Sequence, residues 1–418
     1  QLEAKFAAKE SEVTLLENNI INKKSQIDEI KTGISNKSNR IKEYNLQVQR
    51  INESLSNYEH RRRNLHNRLQ ELKGNIRVFC RIRPIQDKLE QLSNIEVTED
   101  EINENSNQEL TISNGQDMES NSYSLVKSNG NSYTFQFDKV FNSRSHNPII
   151  FEEISQLIQS SLDGYNVCVF AYGQTGSGKT YTMSHPQDGM IPLSLGKIFS
   201  DIEELKSKGW EYTVRGQFIE IYNENIVDLL APSDANLKYE IKHDDIEAKT
   251  TVTNIHTIQI TSEAHANSIL SKATNNRSTA FTKSNDRSSR SHLIFIFKLH
   301  GVNAEKQITS EGTLNLIDLA GSERLVASQA KGDRLKETQA INKSLSCLGD
   351  VIYSLGQKQN NKGQHIPYRN SKLTYLLKHS LGGNSKTLMF VNISPSQKNF
   401  SETVNSLRFA TKVNSTKL

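Results

Sequence analysis

Apolar side chains recur every seven residues from the start of the chain to residue 72, in two interleaved series. Phe6, Val13, Ile20, Ile27, Ile34, Ile41, Val48, Leu55, Arg62 and Leu69 form one series. Lys9, Leu16, Lys23, Ile30, Lys37, Tyr44, Ile51, Tyr58, Leu65 and Leu72 form the other, three residues on. These are the a and d positions of a coiled coil, kept in phase for about ten heptads. A single globular helix rarely holds a 3.5-residue period over that length. No proline interrupts it, so the pattern predicts a rod about 110 Å long at ~1.5 Å per residue. β-branched residues dominate the a series, which favours two parallel strands. Lys9, Lys23, Lys37 and Arg62 weaken self-pairing and suit a partner with acidic side chains opposite. Alternatively, lysine stems snorkel at a tolerant seam. A homodimer and a heterodimer with a non-catalytic partner therefore both stay open. Gly33 is a weak point in the rod.

The remainder needs a different architecture. Residues 1–72 read as the stalk, 73–76 as a neck junction where Gly74-Asn75 breaks the helix, and 77–418 as a globular domain. Of the 418 residues, 35% are hydrophobic and 23% charged. That is polar for one compact globule and agrees with a segment that has no core of its own. No run approaches the ~18 apolar residues of a membrane span. The opening residues, Gln1 to Lys5, read as the middle of a longer helix, so a fragment is expected. Cys80, Cys168 and Cys347 are scattered and odd in number, which fits a reducing compartment and gives neither a disulfide framework nor a zinc site. The formal net charge of +4 is too small to identify a partner, and no nucleic-acid or membrane partner is expected.

Residues 86 to about 132 are rich in Asn, Ser, Asp and Glu and read as a polar excursion with short edge strands and no assigned role. Beyond it, apolar runs at 165–171, 216–222, 292–298 and 314–318 predict strands. Helices are expected at 147–162, 261–273 and 335–357. The alternation predicts an α/β fold, a central mixed β-sheet flanked by helices. Behind the first apolar run stands Gly173-Gln-Thr-Gly-Ser-Gly-Lys-Thr180, a GxxxxGK[ST] phosphate loop in its required context. Its glycines free backbone N–H groups to face phosphate oxygens. Lys179 would reach the β- and γ-phosphates, and Thr180 would bind Mg²⁺ through its hydroxyl. Asp318 ends another apolar strand and opens Asp318-Leu-Ala-Gly321, the place of a second Mg²⁺ ligand acting through water, with the Gly321 amide free to meet the γ-phosphate. A hydroxyl-rich run from Asn285 to His292 suits a loop closing on the same atoms, although alone it reads as a plain loop.

Taken in order, Ile76–Pro84, Ala171–Met183, Asn285–His292 and Leu316–Arg324 closely resemble the nucleotide-site motifs of kinesin motor domains. The resemblance covers about residues 75–415 and extends to Ile366–Thr374 and Ser406–Ala410. It implies a P-loop NTPase fold, microtubule-stimulated ATP hydrolysis, ATP/ADP and Mg²⁺ as cofactors, and tubulin as partner. By matching position it implies that Arg81, Arg83 and Pro84 flank the adenine while Tyr181 stacks on it. Gln174, Thr175, Gly176, Ser177, Gly178, Lys179 and Thr180 would wrap the phosphates. Ser289 would join Thr180 and Asp318 at the metal, Ser288 would position water, and Arg290 would pair with Glu323 to latch the two switch loops. No guanine signature is present, which favours ATP. Lys331, Arg334, Lys336, Lys343, Lys358, Lys362, Arg369 and Lys372 would form the basic track face.

A stalk that precedes the head resembles the class-14 kinesins, whose C-terminal motors move toward microtubule minus ends. That implies a lever stroke passed across Gly74-Asn75 and work in spindle or nuclear movement, cross-linking or end depolymerisation. Cytoplasmic and nuclear microtubules and the spindle pole are the implied location. Leu193 departs from the basic residue many kinesins carry there. A non-motile cross-linker should have lost Lys179, Asp318 or Glu323, and all three are present. A metabolic kinase or GTPase would need neither the ten-heptad stalk nor the Arg290 and Glu323 pair.

Overall fold

The computed structural model describes residues 2–85, 90–98, 108–114, 132–232, 237–279, 287–323, 333–358 and 364–416, without the side chains of 278–279, 287–288, 333–334 and 358. Two compact units result, residues 1–68 and 69–418. Helix α1, Leu2–Leu72, is continuous. Within the first unit its heptad residues have no interior to enter: Val13, Ile27, Ile41 and Leu55 are each about half exposed. A lone helix that displays such a stripe has its stabilising contacts still to make.

The second unit opens with β1 (Ile76–Ile82), β2 (Asn94–Thr98), β3 (Gln108–Ser113), β4 (Ser132–Phe137) and β5 (Lys139–Phe141). Next come α2 (Asn147–Leu162), β6 (Asn166–Tyr172), α3 (Lys179–Ser184), α4 (Met190–Lys206), β7 (Glu211–Tyr222) and β8 (Asn225–Asp228). They are followed by β9 (Ile241–Asp244), β10 (Lys249–Val252), β11 (Ile258–Ile260), α5 (Glu263–Thr279), β12 (His292–Asn303) and β13 (Ile308–Asp318). The last elements are α6 (Asp333–Lys358), α7 (Lys372–Leu376), α8 (Lys378–Leu381), β14 (Lys386–Ile393) and α9 (Phe400–Asn414).

The main sheet runs β11-β7-β12-β13-β6-β14-β1-β5, with β8 on β7. Strands β13, β6, β14, β1 and β5 are mutually parallel, whereas β12 runs antiparallel to both β13 and β7. This is the expected mixed sheet. Strand β6 sits at its centre and is apolar on both faces. Val167, Val169 and Ala171 pack with residues of α2, α4 and α5, while Cys168, Phe170 and Tyr172 pack with residues of α6, α7 and α9. Both faces are covered, so its alternate positions show no polar phase.

The short strands expected in the polar excursion form, but in a sheet of their own. The described part of the excursion forms strands β2 and β3, which join β4 in a separate three-stranded sheet. Leu110 and Ile112 are fully buried in the core that faces α9. Two or three apolar residues among Asn, Ser and Glu are enough to anchor the excursion, yet too few to produce a visible period. Helix α5 also runs on to Thr279, beyond the expected end at 273.

Gly312 marks where α2 meets the sheet. A Cβ at this position would overlap the carbonyl oxygen of Ser161. Gly312→Ala is therefore expected to destabilise the second unit by about 1–3 kcal/mol or more. Gly33→Ala, in open space, should stabilise α1 by about 1 kcal/mol. Urea denaturation followed by circular dichroism reads both; equal effects of the same sign would refute the packing account.

Candidate nucleotide site

Four parallel strands, β13, β6, β14 and β1, end on one edge of the sheet, and the phosphate loop leaves β6 there. Register places Ala171 opposite Asp318 and Phe390. Gly173 (φ +149°) lies so close to β14 that a Cβ would overlap the Asn392 carbonyl oxygen. Gly176 and Gly178 have φ of +79° and +96°, a left-handed backbone that a side chain would strain. Gly178 leads into α3.

Lys179 is buried, and its Nζ donates to the Gln174 carbonyl at 3.0 Å. Burial pulls its pKa down, while the Asp318 and Glu323 carboxylates pull it back up. The Thr180 hydroxyl donates to Asp318 Oδ2 at 2.6 Å. Asp318 is buried and Oδ1 has no hydrogen-bond partner among the described residues. Burial raises its pKa, opposed by Lys179, Thr180 and Arg277. The buried Oγ of Ser177 and Oε1 of Gln174 likewise lack partners. A buried cation, an unused buried hydroxyl and an unused carboxylate oxygen fit a phosphate chain with a hard divalent ion.

The switch residues are in place but paired differently from expectation. Arg290 donates to Glu337 Oε2 on α6 at 3.1 Å. Glu323 instead accepts from the Thr175 amide at 2.8 Å and the Thr175 hydroxyl at 2.5 Å. The Gly321 amide, expected to face a phosphate, donates to the Ser289 carbonyl at 2.8 Å. The physical reason is common to all three. In each case donors and acceptors of neighbouring loops, and of α6, satisfy one another. The Ser288 side chain lies outside the described residues, as do Lys331, Lys362 and the side chains of Arg334 and Lys358. Lys343, Arg369 and Lys372 are exposed.

The adenine-side residues divide. Arg81 is buried, donating to Asn147 Oδ1 at 2.5 Å and Thr182 Oγ1 at 2.7 Å, with its guanidinium 5.5 Å from the Tyr181 ring centre. Burial lowers its pKa to about 10. It braces the loop from behind. Arg83 pairs with Glu90 at 2.8 Å and also donates to the Pro84 carbonyl. The Tyr181 ring, 46% exposed, stands near His185 with centres 4.7 Å apart.

Two groups escaped sequence reasoning. Buried Glu220 accepts from Ser291 Oγ at 2.6 Å and from Arg277 Nε at 3.4 Å. His292 is fully enclosed: its Nδ1 accepts from the Ala320 amide at 3.1 Å, and Nε2 lies 2.8 Å from Ser344 Oγ on α6. The amide contact fixes the proton on Nε2, which donates to Ser344. Its place beside the hydroxyl-rich run was the only available signal.

The kinesin motor domain family profile matches residues 81–416. Kinesin-like protein KAR3 of Saccharomyces cerevisiae is 51% identical over 424 residues, which cover 100% of this chain and 57% of the relative. Kinesin-like protein klpA of Emericella nidulans is 55% identical over 87% of this chain and 46% of its own. The chain thus spans about half the length of the curated relatives it matches. Among solved structures, the C-terminal motor and motor homology domain of Kar3Vik1, fused to a synthetic heterodimeric coiled coil, superposes with a TM-score of 0.82 at 51% identity, covering 94% of this chain and 98% of that one. The motor domain of KAR3 gives 0.71 at 55%, covering 82% and 100%.

Burial, reinforced by Arg277 and Lys179, depresses the pKa of His292 from 6.5 to about 3. Between those values the unfolded chain binds a proton that the folded chain refuses. This residue therefore makes stability rise with pH across that window, by up to ~1.4 kcal/mol per pH unit. His292→Gln should flatten the slope of unfolding free energy between pH 4.5 and 6.5 accordingly. An unchanged slope would show that the imidazole is not held neutral.

Proposed function

The chain belongs to the kinesin motor family, and from that premise we propose that it hydrolyses ATP to move on microtubules, toward their minus ends, as one head of a coiled-coil dimer. The observation that carries the reading is that each switch loop bonds directly to the other or to the phosphate loop, through Thr180 to Asp318, Thr175 to Glu323 and Gly321 to Ser289. A γ-phosphate entering this space must displace such contacts, which is how its presence or loss becomes a conformational signal.

In this mechanism Lys179 and the amides of residues 174–180 balance the charge of the phosphate chain. Thr180, Asp318 and Ser289 would hold Mg²⁺, which when bound screens the phosphate oxygens. Glu323 leaves Thr175 and Arg290 leaves Glu337, and the two released groups pair across the closing loops. Ser288 positions the attacking water, and the Gly321 amide turns from Ser289 to the γ-phosphate. Since Glu337 and Ser344 both lie on α6, closure frees one hold on this helix while His292 keeps the other. Lys343 on the same helix, with Arg369 and Lys372, supplies cations for an acidic track. Arg83, Pro84 and Tyr181 line the base side, and Arg81 braces the loop behind them. Direction rests on class-14 likeness and on a stalk that precedes the head. Lys9, Lys23, Lys37 and Arg62 in the seam support an acidic partner chain over self-pairing. Microtubules of cytoplasm and nucleus are the proposed setting.

ATP turnover with and without polymerised microtubules tests the reading. The parent should be stimulated more than about tenfold, equivalent to ~1.4 kcal/mol of barrier, and less so as salt screens the basic face. Glu323→Ala should bind nucleotide yet lose the stimulation. Turnover indifferent to microtubules would sink the track assignment.

A further inference from the structure

The sheet face turned toward α6 is apolar near the nucleotide edge, with Ile219, Ile294 and Ile317 buried. At the opposite end the same face changes character. One register row crosses five strands as Gln259, Arg215, Lys298, Thr313 and Asn166. Arg215 and Lys298 stand directly opposite each other on antiparallel strands, where like charges are unfavourable. Neither has an ion-pair partner among the described residues. The carboxylates nearby are already engaged: Lys249 takes Glu311 at 2.6 Å and Glu247 at 2.9 Å, and His300 lies 3.3 Å from Glu311.

Above this row the β9–β10 hairpin and the α7–α8 segment border an open cavity of about 690 Å³, in which Lys298 is half-buried and Arg215 exposed. Its floor holds Arg215, Lys298 and Thr313, Val252 and Leu376 contribute apolar wall, and Glu247 and Glu311, both held by Lys249, line its rim. The volume lies within the range of small-molecule sites, and a few convergent polar groups on an apolar lining are their usual composition. Burial lowers the pKa of Lys298, and Lys249 and Arg215 lower it further. The ammonium is thus disfavoured by its surroundings as they stand, and an anion would reverse that. Two unpaired cations beside a hydroxyl call for a dianion rather than a single carboxylate, and a phosphate group carries close to two charges near neutral pH.

We propose that this cavity is a binding site for a small phosphate-bearing molecule, its phosphate seated between Lys298, Arg215 and the Thr313 hydroxyl. The site is separate from the phosphate loop and uses none of its residues. Its ligand is either free phosphate or a phosphate ester whose hydroxyls reach the amides of Gln217 and Asn166 on the cavity wall.

The test is calorimetric titration of ADP-loaded protein with inorganic phosphate and, separately, glucose 6-phosphate, at ionic strength held constant with chloride. Saturable binding is expected, weakened at least tenfold in Lys298→Met and in Arg215→Gln and largely retained in Lys298→Arg. ADP retention should be unchanged in all three, which separates loss of this site from loss of the fold or of the nucleotide site. Lys298→Met should also melt higher than the parent without phosphate, since it removes a half-buried cation that faces Arg215 and Lys249. Tighter binding of glucose 6-phosphate would identify a carried phosphate as the ligand; tighter binding of inorganic phosphate would identify the free anion. Binding that is equal in parent and Lys298→Met, or reproduced by chloride, means an adventitious ion only and overturns the proposal.

Discussion

The parallel pairing of β6 with β13 is the constraint from which the site follows. It sets Ala171, next to last in β6, against Asp318, the last residue of its neighbour. A carboxylate is thereby fixed in a buried position that it would not occupy by its own preference. Thr180 and Lys179 answer it from the loop. The antiparallel strand β12 completes the arrangement, because Leu293 pairs with Asp318. One switch therefore enters the sheet where the other leaves it. Nothing about either loop alone would bring Ser289 to Gly321; the strand register does so.

Burial sorts the polar contacts around this point into fixed and exchangeable ones. Glu220, Arg277, Ser291 and His292 are all nearly or fully enclosed. Breaking such a group strands a buried charge or an orphaned donor, at a cost of several kcal/mol. Thr175 is exposed, and Arg290 is about a quarter exposed at its contact with Glu337. Polar contacts open to water are worth about 1 kcal/mol or less, so the Thr175 contact exchanges partners cheaply, while buried Glu337 holds Arg290 more firmly. The same two loops thus carry a rigid base and a labile rim. The rim is where a phosphate has to intervene, and the base holds the loops to α6 while it does.

What the sequence made legible follows the same division between local and non-local causes. The phosphate loop, the apolar runs ending at Ala171 and Asp318 and the helix at 147–162 are local patterns, and each was readable at its place. The heptad seam was readable because its period repeats for so long. Contacts created by register were hidden. Glu337 as the holder of Arg290, Glu220 beneath Ser291, and Lys298 against Arg215 lie 47, 71 and 83 residues apart. Leu110 and Ile112 were hidden for another reason: two buried residues suffice to dock a small sheet, and two residues make no pattern. The pairing of Glu323 with Thr175 belongs to a third kind, since it depends on what else occupies the loop.

The end of the stalk helix shows how little chain is needed to join a periodic rod to a globular head. Gly74, at φ +97°, terminates α1, and its amide bonds back to Glu71 at 3.0 Å; a glycine there adopts the left-handed turn without strain. The last helical turn is already part of the head unit. Gln70 is buried, donating to Gln156 on α2 at 3.1 Å and accepting from Arg77 on β1 at 2.6 Å. Lys73 adds a second bond to Gln156, and Lys386 on β14 donates to Asn75. Burial lowers the pKa of Arg77, with Asp138 and Glu153 opposing, so its bond to Gln70 forms in a place shielded from water, where such bonds are strong. The final turn is therefore fastened to α2 and β1, and Asn75 just beyond it to β14; β1 and β14 are two of the strands that end beside the phosphate loop. A glycine hinge alone would let the helix end pivot freely. These bonds instead tie its last turn to the sheet.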